Sequence, residues 1–329
     1  MTDNIQSILN SRNTLDYFVK DSVYRLIHGA ADGYPGWFVD RFGPFLLSVS
    51  ETKTPQPHQK EILSGLAKAL DCVGIYHKPW KRSVRGVEIE DVSPTLIEGN
   101  PAPEEFEVIE NGLRYAIRFS EGYSVGLFHD QRDNRKRLLS GKIAYKFQLF
   151  EEGANNLDAL NTFSYTCAFS VCAGKIGMQA TSLDWSRKYL DWGRSNFALN
   201  QVETESADFI YGDAREWMRR LERKDRRFDL IILDPPSFSK VGSGKTFQVK
   251  KDYTELVQLA SQLMKPRGIL LACCNLKTLS DAQFFKMIQS GAHQAHRSIL
   301  QYHIAEQPAD FPTHQNQPAH LKSIWTRLA

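Results

Sequence analysis

Phe228-Asp-Leu-Ile-Ile-Leu-Asp-Pro-Pro-Ser-Phe238 is the stretch that decides the fold. Ile231-Ile232-Leu233 is apolar on both faces, as in a buried parallel strand. Asp234-Pro235-Pro236 then ends that strand in a rigid, extended turn with no backbone donors at the prolines. Strand–helix alternation extends on both sides. Upstream, strands are expected at Leu157–Phe163, Met178–Asp184 and Ala207–Tyr211, with helices at Phe169–Lys175, Arg187–Leu199 and Ala214–Leu221. Downstream come a helix at Tyr253–Met264, a strand at Gly268–Cys274 and a helix at Ala282–Ala292. Two strands close the chain, at Ser298–Ile304 and Leu321–Leu328. Such alternation implies a parallel sheet with right-handed crossovers. The fold class is therefore α/β, Rossmann-like, with a seven-stranded mixed sheet. The first part of the chain reads differently. Short strands at Val23–Ile27, Phe45–Val49 and Val73–Tyr76, a helix after Pro57, and a hairpin turning at Asn111-Gly112 predict a small α+β domain. The expected division is 1–119 for that domain and 120–329 for the Rossmann-like one.

In a doubly wound sheet the ligand lies outside the carboxyl ends of the strands. Asp184 ends strand two, about 20 residues past the first loop, where a carboxylate accepts both ribose hydroxyls of an adenosine; a helix N-cap is the ordinary alternative. That position suits NAD or S-adenosylmethionine. NAD would want a Gly-rich pyrophosphate cradle. The first loop, Phe163-Ser164-Tyr165-Thr166, has no glycine, so S-adenosylmethionine is the expected cofactor. Asp213, followed by Ala214, is placed to bond the adenine amino group. Trp185 is placed to pack on the ring or, alternatively, to be plain core. Asp234 is expected at the methionyl end or at a substrate base, with the carbonyls of Pro235 and Pro236 facing the substrate and Phe238 stacking on a flipped base.

These residues are joined by further motifs: Arg25-Leu-Ile-His-Gly-Ala-Ala-Asp-Gly-Tyr-Pro-Gly36, Val39-Asp-Arg-Phe-Gly43, Gly126-Leu-Phe-His-Asp-Gln-Arg-Asp-Asn-Arg135, Leu160–Ser170 and Tyr189-Leu-Asp-Trp192. With them the sequence resembles the class I S-adenosylmethionine-dependent methyltransferases related to rRNA large subunit methyltransferase I, the 23S rRNA cytosine-C5 enzymes, over roughly residues 20 to 329. The resemblance implies methylation of ribosomal RNA of the 23S type. It implies Cys274 as a nucleophile adding to C6 of the base, with Asp234 near N3. It also implies a cofactor-carboxylate contact at Gln131; an exposed helix residue is the alternative there. Cys273, next along the strand, should face the other way. Both cysteines could instead be small buried core residues.

Three departures accompany the resemblance. About 27 residues precede the His28-Gly29 segment, so the family's N-terminal PUA RNA-binding domain is expected to be absent. Cys167 stands where the family tends to have glycine, and its Cβ crowds the cofactor loop unless φ stays negative. Cys273-Cys274-Asn275 stands for Ser-Cys-Ser, and Asn275 keeps methylation of a purine nitrogen open. A small-molecule methyltransferase and a non-catalytic cofactor- or RNA-binding protein are the remaining alternatives.

Of 329 residues, 42% are hydrophobic and 24% charged, which excludes a disordered chain. Lys and Arg number 41 against 38 Asp and Glu, a net charge of +3 that does not by itself call for a polyanion. Local clusters are more telling: Lys78, Lys81, Arg82 and Arg85 around Trp80 suit single-stranded RNA, and Arg132, Arg135, Lys136 and Arg137 lie near the strand ends. A solvated helix face is the ordinary reading of the second run. His28 and His129 read as turn and packing residues. Five cysteines without zinc-ligand spacing, no visible secretory signal and no apolar run of about 20 residues predict a cytoplasmic, non-membrane protein. The sequence gives no oligomeric state.

Overall fold

The computed structural model describes residues 2–16, 18–80, 93–122, 124–151, 153–205, 207–240, 246–315 and 318–329. Lys81, Arg82 and Arg85 of the first basic cluster lie outside them. The chain divides into two compact units, 1–132 with 308–318, and 133–307 with 319–329. This division falls beyond residue 119 because Phe128–Arg132 and the late segment around Asp310 pack with the first unit.

In the first unit the elements are α1 (Thr2–Asn10), β1 (Val23–His28), β2 (Phe38–Phe42), β3 (Phe45–Ser50), α2 (Pro57–Ala69), β4 (Gly74–Pro79), β5 (Thr95–Gly99), β6 (Phe106–Glu110) and β7 (Leu113–Ile117). A five-stranded sheet runs in the order β1-β2-β3-β4-β5, antiparallel except for the β3–β4 pair. The crossover helix α2 makes that parallel pair possible. Pro57 opens it where no backbone donor is needed, and Ile62, Leu63 and Leu66 enter the core beside Leu26, Trp37 and Leu46. β6 and β7 form the expected hairpin, with Asn111 at φ 53° and Gly112 at φ 77°, the left-handed pair that a two-residue turn requires.

Charged residues are buried in this unit because they pair. Asp40 receives Arg25 Nε at 2.7 Å and lies 3.0 Å from His129 Nε2. Arg132 donates to both oxygens of Asp310, at 2.9 and 3.0 Å. Burial alone would raise the Asp40 carboxyl, but Arg25 and then His129 hold it well below the usual carboxylate range. His28, also buried, lies 3.0 Å from Arg25 Nη1. The two histidines are thus packing residues within an ionic network.

The second unit contains α3 (Arg132–Ser140, entering from the first), β8 (Lys142–Ala144), β9 (Phe147–Gln148), β10 (Asp158–Thr162), α4 (Ala168–Lys175), β11 (Gln179–Asp184), α5 (Arg187–Leu199), β12 (Asp208–Tyr211), α6 (Ala214–Arg223) and β13 (Phe228–Leu233). There follow β14 (Phe238–Lys240), β15 (Thr246–Gln248), α7 (Val249–Leu263), β16 (Met264–Cys274), α8 (Asp281–Gln294), β17 (Ile299–Ala305) and β18 (Lys322–Leu328). A seven-stranded sheet has the order β12-β11-β10-β13-β16-β18-β17. Its first five strands are parallel, and β18 runs antiparallel to both its neighbours. The order reverses at β10, so the ends of β10, β11 and β13 open the crevice that such sheets use for ligands.

The run Arg132–Arg137 is not a solvated helix face. Arg132, Asn134 and Arg135 are buried, so Arg132 and Arg135 are not available to phosphates. Asn134 donates to Ser323 Oγ at 2.8 Å and accepts from Trp325 Nε1 at 3.0 Å. The Arg135 guanidinium lies 5.5 Å from the centre of the Phe169 ring, a cation–π distance. Hydrogen bonds and stacking replace the water these groups give up. Among the described residues, no helix is long and apolar enough to cross a membrane.

Candidate active site

Most of the expected cofactor residues lie at the ends of β10, β11 and β12; Asp234 follows β13, and Gln131 belongs to the first unit. The loop Phe163–Cys167 is the most unusual backbone among them. Phe163, Tyr165 and Cys167 have φ of 55°, 48° and 62°. Each non-glycine residue in this region costs roughly 1–2 kcal/mol. Local bonds hold the loop in place: Ser164 N to Leu183 O at 3.1 Å, Cys167 N to Ser164 O at 2.8 Å, and Asn196 Nδ2 to Thr166 O at 2.9 Å. Cys167 thus takes the positive φ at which its Cβ would be expected to crowd the loop. Its side chain finds room because α5 presents Gly193 to it. A Cβ on Gly193 would stand 2.3 Å from Cys167 Sγ. Burial pushes the Cys167 thiol up to about 12, so it packs as a neutral group.

Asp184 ends β11 and is the loop's other anchor. Its Oδ2 accepts from Tyr165 N at 2.9 Å and its Oδ1 from Ser186 N at 2.8 Å. It is not the cap of α5; Ser186 is, accepting from Tyr189 N. Burial raises the Asp184 carboxyl, against the lowering effect of these backbone donors. A carboxylate offers about four acceptor positions, and the backbone donors of Tyr165, Ser186 and Trp185 do not use them all, so Asp184 retains acceptor capacity toward a ribose diol. Asp213 caps α6 through Oδ1, which accepts from Glu216 N at 3.0 Å, leaving Oδ2 to accept from an amino group. Ala214 is the first residue of α6 and is buried. Trp185 is 46% exposed, with its ring 5.8 Å from Tyr211, so it is not core and presents an aromatic face beside Asp184. This donor and acceptor set fits an adenosine without a phosphate. Gln131 is buried at the end of the turn His129–Gln131 and belongs to the first unit, so it is not an exposed helix residue.

The second cluster lies where β13 and β16 end side by side. Pro235 is buried, Asp234 and Pro236 are half-buried, and Phe238 is 52% exposed. Ser237 Oγ donates to Asn275 Oδ1, joining the Asp-Pro-Pro-Ser turn to the residue after β16. Cys273 and Cys274 are both fully buried and face opposite sides of the sheet. Cys273 Sγ lies 3.7 Å from Ser323 Oγ. Cys274 joins the core between the sheet and α7–α8, and its sulfur accepts from Leu276 N at 3.4 Å. Burial pushes the Cys274 thiol up, and the Leu276 N–H and Lys322 pull against it.

Residues without an assigned part in the sequence complete the site. Phe247, on β15, sets its ring 6.1 Å from Phe163. Gly193 carries no signal beyond being a glycine inside a helix. Tyr253 begins an expected helix, and nothing local marks it.

The chain matches the family described as S-adenosylmethionine-dependent methyltransferase over residues 25–327. The chain belongs to that family. S-adenosylmethionine is its cofactor, and its activity is methyl transfer. It is 32% identical over 311 residues to the Ribosomal RNA large subunit methyltransferase I of Yersinia pseudotuberculosis serotype O:1b, covering 93% of this chain and 74% of the relative. The protein of that name from Yersinia pestis bv. Antiqua (strain Angola) is 32% identical over 293 residues, covering 88% and 70%. Among solved structures, the methyltransferase SMU.776 complexed with SAH aligns at TM-score 0.82 and 25% identity, covering 99% of this chain and 81% of that one. The tRNA m1G37 methyltransferase of M. jannaschii aligns at TM-score 0.56 and 14% identity, covering 98% and 77%; at that identity the likeness is one of fold alone.

Proposed function

We propose that this methyltransferase acts on RNA, and that its target is C5 of a cytosine in the 23S-type ribosomal RNA, modified in the cytoplasm. The observation that carries the reading is Cys274 as the last residue of β16, beside the strand end that Asp234 follows. The relatives named Ribosomal RNA large subunit methyltransferase I support it. In this reading the first unit, with the half-exposed Trp80, positions the RNA.

Asp184 accepts the ribose hydroxyls of the cofactor and Asp213 the adenine amino group, and Phe163–Thr166 line its path. When bound, S-adenosylmethionine supplies an electrophilic methyl group. Cytosine C5 is a poor nucleophile, so the base must be activated. Cys274, as thiolate, adds to C6 while Asp234 supplies a proton at N3, which makes C5 enamine-like. After C5 is substituted, its proton passes to solvent, the N3 proton returns to Asp234 and the sulfur departs, which restores the ring. Pro235 and Pro236 offer carbonyl acceptors to the base, and exposed Phe238 offers a stacking face. Because its thiol is buried and raised, Cys274 rests protonated at neutral pH and gives up that proton to solvent before the sulfur adds to C6.

The bond between Ser237 and the exposed Asn275 favours a second reading. It sets an amide beside Asp234, a pair suited to hydrogen-bonding a purine and delivering one of its nitrogens. Labelled cofactor, 23S rRNA and digestion to nucleosides separate the two. Label in 5-methylcytidine that disappears in Cys274→Ser supports the first reading. Label in a methylated purine nucleoside overturns it.

A further inference from the structure

The β13–β16 ladder ends at the pair Leu233 and Ala272. Asp234 and Cys274 therefore lie just past the point where backbone pairing holds these strands together. Among the described residues, the Ser237–Asn275 bond joins the two strands beyond that point, and one side chain bonds the strand ends themselves. Tyr253, on the second turn of α7, is fully buried, and its hydroxyl lies 2.9 Å from Cys273 O and 3.2 Å from Leu233 O. A phenol has one hydrogen to donate, so the two carbonyls share it. They belong to the residues immediately before Cys274 and Asp234. The ring itself packs edge-on against Phe284, with centroids 4.9 Å apart. Phenylalanine would fill that space equally well, so the hydroxyl's distinct contribution is the bridge between the strand ends. Burial keeps the hydroxyl protonated, hence a donor, across the working pH range.

We infer that Tyr253 is a positioning residue: its hydroxyl fixes the separation of Asp234 and Cys274 by bridging the carbonyls that precede them. The inference rests on the reading of those two groups proposed above. A misplacement of about 1 Å in a reacting pair can lower a rate by about a hundredfold, while the cofactor carboxylates on β11 and α6 are outside the bridge.

The test is Tyr253→Phe in the full chain, with two readouts. The first is single-turnover methylation of 23S rRNA, with calorimetry of S-adenosylmethionine binding. The expected result is a rate lowered by about 10- to 100-fold, with the cofactor Kd and the RNA KM within about twofold of the parent. A rate within twofold of the parent overturns the inference. The second readout needs no RNA activity: peptide-mapped alkylation by iodoacetamide of Cys274 and of Cys172, a fully buried cysteine on α4. Faster alkylation of Cys274 alone is expected. An unchanged Cys274 rate, or equal acceleration of both cysteines, overturns the inference, the latter by showing general loosening. If the parent methylates no RNA, the proposed function fails, and alkylation still decides the role of Tyr253.

Discussion

Replacing Gly193 by alanine tests whether the cofactor loop depends on a slot in α5. The added Cβ would stand 2.3 Å from Cys167 Sγ and 2.9 Å from its Cβ, and its next neighbour, Thr166 C, is at an ordinary 3.6 Å. The whole clash is therefore with one side chain, which is fully buried and already in the left-handed region. Carbon and sulfur pack at roughly 3.5–4 Å, so the loop or the helix must yield by more than 1 Å. Overpacking of this kind costs about 1–3 kcal/mol. For a unit of this size that lowers Tm by roughly 2–4 °C per kcal/mol, and under the proposed assignment of Phe163–Thr166 to the cofactor it weakens S-adenosylmethionine binding. Cys167→Gly removes both the obstructing sulfur and the left-handed strain. In that background Gly193→Ala should be neutral or stabilising, since alanine exceeds glycine in a helix by about 0.5–1 kcal/mol. Thermal melts and cofactor calorimetry on the four proteins of this cycle measure the coupling, expected at about 1.5 kcal/mol or more. Equal destabilisation by Gly193→Ala in both backgrounds would refute the reasoning.

Asp184→Ala removes the acceptors for the ribose diol and for Tyr165 N and Ser186 N; at about 1.5–3 kcal/mol per charged hydrogen bond, the cofactor Kd should rise at least about 100-fold by calorimetry, and a change under threefold would contradict the assignment. The Asp40 carboxyl is held below its unfolded value of about 3.9, so its contribution is fully present above that pH and is lost as pH falls from there through the lower folded value. Asp40→Asn should flatten the acid-unfolding profile of the first unit and, by leaving Arg25 unmatched, cost about 3–5 kcal/mol at pH 7, read by denaturant melts. The raised Cys274 thiol means that the thiolate fraction grows about tenfold per pH unit below its pKa. The single-turnover rate should therefore climb from pH 7 to 9, and a flat profile would count against thiolate attack.

Much of the second unit was legible because its strands and helices alternate in pattern. The residues that follow strand ends, among them Asp184, Asp213 and Asp234, could be picked out by position alone as candidates. Residues coupled over long distances could not. The burial of Arg132 depends on Asp310, 178 residues away, and that of Asn134 on Ser323 and Trp325, so a charged run read in isolation looked solvated. β2 was missed because Asp40 and Arg41 make Phe38–Phe42 look polar, although pairing buries them. α1 lay in a segment with no strong signal, and the β14–β15 hairpin is only three residues a side. α7 begins at Val249 rather than Tyr253, since Asp252 Oδ2 accepts from Gln248 N at 2.7 Å and fixes the earlier start. The left-handed Cys167 is permitted only by Gly193 on another element, a relation that spacing along the chain does not reveal.

The proposed methyl transfer to an RNA base at the ends of β13 and β16 is tested most directly by incubating the protein with labelled S-adenosylmethionine and unmodified 23S rRNA, digesting the RNA and identifying the labelled nucleoside. Label in 5-methylcytidine is the expected result. Tight cofactor binding with no label in any nucleoside would contradict the claim.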